Sequence, residues 1–378
     1  MFRNIMNNLA TWYEIGENKA ALIRGGKFVG KTWAALDFAT GFFDEHILID
    51  LEQYPDFCQY ISKERKPEKL HAKLTTSLDK YDFQGKLLIF DNVQLSTMAV
   101  PNLVEYAKVS SGVRICMLAT VNGMLPGEAE CQDDLFVYEL TPMTFDEFLK
   151  AGKGRKLWKY IENQRLEGLP EEVRASVDTM LDAFLVTGGM PEAVNTFVDT
   201  KQMEQVLQIQ KDIVQSYEDD MIKYAERTDK ASIRECFRSI PRQLSKENKK
   251  FQYSVVKKGT TAAKYAGSLQ WIEDAGIITR CYNLNIPELP LDGNADPDTF
   301  KVYMCDMGLF VSMLEEGTQY DILRGNLLIY KGAIFENLIA DIFTKMGRKL
   351  YYFRKDSGLE IDFVIRYKGK CTLAEVKA

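Results

Sequence analysis

The sequence predicts an α/β fold, a parallel β-sheet covered on both faces by helices, and two observations carry that prediction. First, five apolar runs alternate with stretches of helical periodicity: Ala20 to Ile23, His46 to Leu51, Leu87 to Asp91, Val113 to Leu118 and Phe136 to Leu140. Short continuous apolar runs suit strands buried on both faces, and their alternation with helices suits crossovers between parallel neighbours. Second, Gly25-Gly26-Lys27-Phe28-Val29-Gly30-Lys31-Thr32 stands between the first run and the helical stretch Trp33 to Ala39. Strand, glycine loop and helix start, in that order, are the setting of a phosphate-binding P-loop.

Such a loop has a definite chemistry. Glycines let the backbone wrap an anion, and successive N–H groups with the helix N-terminus turn positive dipole ends toward it. The cradle expected here comprises Gly25, Gly26, Lys27, Phe28, Val29, Gly30, Lys31, Thr32 and Trp33. Lys31 would reach the β- and γ-phosphates and the Thr32 hydroxyl would hold Mg²⁺, so the implied ligands are ATP and Mg²⁺. Ligands of such sheets sit outside the carboxyl ends of the strands. There Asp91 closes the run Leu-Leu-Ile-Phe-Asp, the Walker B pattern, as a second candidate Mg²⁺ ligand. Asn92 follows, where ATPases of this type usually carry a glutamate. An amide orients a water but accepts no proton from it. Slow hydrolysis is the expectation, with Lys31, Asp91 and Asn92 as the catalytic set. Thr120 and Asn122, after the fourth run, read as γ-phosphate sensors or as plain loop residues.

Composition bounds the alternatives. The 378 residues suffice for two to four domains, and a net charge of −6 argues against a protein that coats nucleic acid or hugs membranes. Seven scattered cysteines without a CxxC pair read as reduced cytosolic thiols, and two histidines, His46 and His71, disfavour a zinc site. No charged-then-apolar leader opens the chain, and no apolar run approaches the ~18 residues of a membrane span. The expected location is the cytoplasm, with no membrane partner.

Along the chain, Met1 to Asn18 reads as a helix with Ile5, Leu9, Trp12 and Tyr13 on one face, completing a P-loop core over residues 1–150. Residues 151–225 read as a helical lid, interrupted where Gly188-Gly189-Met190-Pro191 stops one helix and starts the next. Residues 226–320 carry a basic stretch: ten Lys or Arg between Lys230 and Lys264 against Glu235 and Glu247, with Arg234, Arg238 and Arg242 on one helix face. An amphipathic helix from Ala263 to Ile277 and two strands, Ile278 to Asn283 and Phe300 to Cys305, complete the outline of a winged helix. Its basic 230–264 segment offers phosphate contacts to DNA, or is a solvated face. Residues 321–378 bring a helix with Glu336 and strands Leu359 to Ile365 and Cys371 to Ala378. Glu336, Asp362 and Glu375 have the oxygen chemistry of an Mg²⁺ site, with Lys377 on the same strand face as Glu375; strand alternation alone also produces such a face.

In order, these strings resemble a family of bacterial and archaeal AAA-type ATPases with a C-terminal restriction-endonuclease-like domain. The matching residues include Ile23 to Thr32, Ile89 to Gln94, Leu140 to Leu149, Gly188 to Ala193, Val302 to Leu309, Phe335-Glu336-Asn337, Gly358 to Phe363 and Glu375-Val376-Lys377. The resemblance implies a P-loop NTPase (AAA-like) sheet with a helical lid, then a winged helix and a partial restriction-endonuclease-like α/β domain. It also implies that Gly189 and Pro191 touch the base and sugar of the nucleotide. Glu336, Asp362, Glu375 and Lys377 would be the PD-(D/E)xK set. Restriction-type domains usually continue past the last motif, so this one reads as truncated after Lys377. The functional expectation is a slow ATPase acting as a nucleotide-controlled switch on DNA. An ATP-gated nuclease and a non-hydrolysing ATP-binding module are the alternatives, with a protein partner unspecified.

Overall fold

The computed structural model describes the chain except residues 1, 17, 79–81, 111, 153, 165–168, 225–229, 247–248, 260–261, 327–329, 356 and 378. Met1, Glu247 and Ala378, named above, lie outside the described residues. The chain divides into two compact units: residues 3–141, and residues 142–378 together with residues 1–2.

The first unit is built on five parallel strands, β1 (Ala20–Gly25), β2 (His46–Asp50), β3 (Leu87–Asp91), β4 (Arg114–Thr120) and β5 (Leu135–Glu139). Their order in the sheet is β2-β3-β4-β1-β5. All five coincide with the apolar runs. Side chains of successive strand residues face opposite sides, so β3 sends Leu88 and Phe90 into one core and Leu87 and Ile89 into another. The first core is closed by Leu103, Val104 and Ala107 of the helix Ala99–Val109. The second is closed by Ala34, Ala35 and Phe38 of the helix Lys31–Phe42 and by Ile5, Leu9 and Trp12 of the helix Ile5–Ile15. Tyr13 lies at the rim of that face: its ring meets Phe38, Phe42 and Phe43 edge-on, while it stays 37% exposed with the Arg114 guanidinium 5.7 Å from its ring centre. Because all the pairings are parallel, the carboxyl ends of the five strands emerge at one edge.

The second unit holds the helices Glu171–Thr187, Pro191–Thr200, Met203–Tyr224, Lys230–Leu244 and Ala262–Asp274, and a mixed sheet. Its strands are β6 (Ile278–Leu284), β7 (Ala295–Met304), β8 (Leu350–Arg354), β9 (Glu360–Tyr367) and β10 (Lys370–Ala374), in the order β10-β9-β8-β6-β7. The two strands expected of a wing, β6 and β7, pair antiparallel. On its other edge β6 runs parallel to β8, with Cys281 opposite Leu350 and Asn283 opposite Tyr352. The segments 226–320 and 321–378 therefore share one sheet, covered in part by the helix Lys331–Lys345, whose Phe343 meets Phe363 of β9 edge-on. Among the described residues, no helix is long and apolar enough to cross a membrane.

Candidate nucleotide site

The glycine loop occupies the carboxyl end of β1. Gly25 has φ +158°, and a Cβ there would lie 2.0 Å from the Leu140 carbonyl oxygen, so the first position admits no side chain. Phe28 and Gly30 follow in the left-handed region (φ 66° and 92°), and Gly30 caps the helix that begins at Lys31. The helix therefore starts inside the loop, and its free N–H groups are directed at the loop's concavity. Lys31 is 6% exposed, and its ammonium donates to the carbonyls of Gly25 (3.0 Å) and Gly26 (2.7 Å). Burial pulls this ammonium down to about 8, against the opposing pull of the Asp91 carboxylate. A buried cation whose hydrogen bonds go to neutral carbonyls has a strong preference for an arriving anion.

The neighbouring strand ends complete the arrangement. The Thr32 hydroxyl donates to Asp91 Oδ2 at 2.7 Å, while Asp91 Oδ1 accepts from the backbone N–H of Asn92 at 2.8 Å. Thr32 and Asp91 thus converge as two oxygen donors beside the loop, the ligand chemistry that a hard divalent cation takes. Asn92 sits at φ 60°, a left-handed conformation that asparagine tolerates. Its amide donates to Asp50 Oδ1 at 2.8 Å, and its carbonyl accepts from Gln94 Nε2 at 3.1 Å. Gln94 in turn accepts the Thr120 N–H through Oε1 at 3.1 Å. One polar chain therefore ties the carboxyl ends of β2, β3 and β4 together.

These are the parts of a nucleoside triphosphatase, and comparison agrees. Residues 17–149 match the family described as an AAA domain. The first unit carries an AAA-type P-loop ATPase domain. Beyond that AAA segment, residues 178–320 and 331–378 match two domains of unknown function, DUF8612 and DUF4143. Among solved structures the chain is similar to the Walker-type ATPase PABY2304 of Pyrococcus abyssi, at 13% identity and a TM-score of 0.44 over 82% of this chain and 94% of that one. It is also similar to PCH-2 of C. elegans, at 11% identity and a TM-score of 0.33 over 53% and 62% of the two chains. No curated protein matches.

The remaining candidates lie in the second unit, outside the AAA domain. Gly189 and Pro191 form the turn between two helices: Pro191 opens the helix Pro191–Thr200, and the Gly189 N–H donates to the buried carboxylate of Asp306 at 2.6 Å. Glu336 is buried, and Lys249, Lys301 (3.5 Å) and Tyr303 (3.0 Å) converge on its carboxylate. Lys301, 1% exposed, also reaches Glu360 at 2.8 Å. Asp362 accepts the Val376 N–H at 2.8 Å, and burial raises its pKa. Glu375 and Lys377 follow the end of β10. Among the described residues, no three His, Cys, Asp or Glu side chains are grouped to share a metal ion. In the basic segment, Arg234 and Arg238 both engage Glu218 (3.2 and 2.5 Å), and Lys257 pairs with Glu235 at 3.3 Å. Those three basic side chains are thus paired within the unit.

Sequence reasoning missed Asp50 and Gln94 as members of the site. In the sequence Asp50 stands inside the run His46 to Leu51, and only in the structure does the strand end on it. Its position depends on β2 lying next to β3, with Asp50 opposite Asp91, a pairing that apolar runs do not disclose.

Proposed function

We propose that the chain binds Mg-ATP in the P-loop of its AAA domain and hydrolyses it slowly, its nucleotide state acting as a switch. The observation that carries this reading is the buried Lys31 ammonium resting on two loop carbonyls, beside the Thr32–Asp91 pair. On binding, the ammonium would exchange those carbonyls for phosphate oxygens, and the backbone N–H groups from Gly30 onward would hold the rest of the polyphosphate. Mg²⁺, held by Thr32 and Asp91, would supply charge neutralisation at the phosphates. Asn92 orients the attacking water but takes no proton from it, so one residue does not combine the two tasks, and hydrolysis is slow. The chain Asn92–Gln94–Thr120 gives the switch a path: a shift of Asn92 toward a γ-phosphate changes the bonds that order the end of β4.

A nuclease reading has weaker support. Glu336 already accepts from two ammonium groups and a phenol, leaving few lone pairs for a cation.

The test is the affinity for Mg-ATP of the parent and of Lys31→Ala, measured by fluorescent-nucleotide titration. Loss of at least about tenfold in affinity is expected, since a charge-assisted bond contributes roughly 1.5–3 kcal/mol. Equal affinity in the two proteins would defeat the phosphate-clamp reading.

A further inference from the structure

We propose that Asp50 is the proton acceptor for the attacking water in this site; the inference rests on the ATPase reading above. Asp50 closes β2 and stands in register with Asp91 on β3, so both carboxylates emerge at the same level of the sheet's carboxyl edge. One oxygen of Asp50 is fixed from two sides: Oδ1 accepts from the Asn92 amide at 2.8 Å and from the Glu52 N–H at 3.0 Å. The other oxygen, Oδ2, has no hydrogen-bond partner among the described residues, and Asp50 is only half-buried. A carboxylate clamped at one oxygen and open at the other has its remaining lone pairs directed outward, available to a water.

Asn92 connects this carboxylate to the phosphate-binding machinery. Its N–H donates to Asp91, and Asp91 takes the Thr32 hydroxyl, so an unbroken series of bonds runs from the P-loop helix to Asp50. The residue at position 92 fits this division of labour. An amide there donates to Asp50 and steadies it; a glutamate would place a second negative charge against the first. Amide at 92 and carboxylate at 50 therefore share the task that one glutamate performs alone.

In the reaction, a water O–H proton passes to Asp50 Oδ2 as the water oxygen bonds to the γ-phosphorus. The bond from that phosphorus to the β,γ-bridging oxygen breaks, and its electron pair leaves with ADP. Asp50 then releases the proton to bulk water.

Asp50 also accepts the Glu52 N–H in a local turn, a structural role that the experiment must separate. In the full-length chain, Asp50→Asn keeps a carbonyl for both accepted bonds and removes only the basic oxygen. Mg-ATP affinity within about twofold of the parent is expected, with turnover reduced about a hundredfold, the contribution general-base catalysis usually makes. Asp50→Glu, which restores a carboxylate, should turn over at least about tenfold faster than Asp50→Asn. Parent-like turnover in Asp50→Asn overturns the proposal, as does an Asp50→Glu no faster than Asp50→Asn. Loss of nucleotide affinity in Asp50→Asn also overturns it, marking the residue as structural. A parent that binds ATP and never hydrolyses it overturns this proposal and spares the binding site, whereas a parent that binds no ATP overturns both readings.

Discussion

Two glycines of the first unit have opposite fates on gaining a methyl group. At Gly25 a Cβ would meet the Leu140 carbonyl oxygen at 2.0 Å, well inside contact distance, and neither backbone can yield without moving β1 or the strand that leads to Leu140. Gly25→Ala is expected to lower the urea midpoint and to cost Mg-ATP affinity together, because the strand end and the loop are the same atoms. Gly41 lies exposed in the last turn of the helix Lys31–Phe42, with nothing within 4 Å of a Cβ and no positive φ. Gly41→Ala should therefore raise stability by about 0.4–1 kcal/mol through the unfolded chain's lost freedom, with nucleotide affinity unchanged. The same pair of urea titrations reads both outcomes. The contrast separates glycines kept for close approach from those that carry only an entropic cost. Both positions were visible in the sequence as letters, but only Gly25 fell in a motif that explains it.

Between elements, one junction of the second unit gathers two buried carboxylates, Asp306 and Asp341. Asp306, fully buried, accepts the N–H of Gly189 at 2.6 Å and of Leu309 at 2.9 Å, so it holds the turn before Pro191 and caps the helix Met307–Ser312 at once. Gly188, at φ +70°, has its missing Cβ directed at Asp306, only 2.3 Å from Oδ1. Asp306→Ala leaves two buried donors without acceptors and should cost roughly 3 kcal/mol in chemical denaturation. Nearby, Lys345 donates to Asp341 at 2.6 Å and to the Met143 carbonyl at 3.1 Å. Burial raises Asp341 from 3.8 to about 7, with the Lys345 charge opposing. Between those two values the unfolded chain has released a proton that the folded chain still holds, so this group's contribution to stability is present at low pH and is lost as pH rises through about 7. In Asp341→Asn, the fall in unfolding free energy between pH 4 and 7 should be shallower than in the parent, whatever the change in absolute stability. An unchanged slope would remove Asp341 as its source. The Gly-Gly-x-Pro turn was legible because its residue types dictate its geometry. The partner that fixes it lies more than a hundred residues away, and nothing local predicts that.

For the whole molecule, what could be read in advance follows the range of the interactions involved. The five strands of the first unit are each buried by local apolar runs, and their alternation with helices restricts them to parallel pairing; sheet, loop and Walker aspartate all follow. Strands β6, β7, β9 and β10 were placed as pieces and β8 was not, and the assembly into one sheet rests on β6 pairing with β8 across the intervening helices, a contact that periodicity does not encode. This assembly has a consequence for residues 321–378. Without β6 and β7, strand β8 would lose its parallel partner along Cys281 to Asn283. Glu336 would lose Lys301 and Tyr303, and Asn337 would lose the Met304 backbone that it both donates to and accepts from. A buried carboxylate and a buried amide stripped of partners cost more than the short three-stranded remnant gains from packing. A fragment of residues 321–378 should therefore show a disordered circular dichroism spectrum and no cooperative thermal transition, whereas residues 142–378 should melt cooperatively with the helix content described above. A cooperative melt of the short fragment would mean that β8 to β10 and their helix form a self-sufficient core, and that the shared sheet is an addition to it.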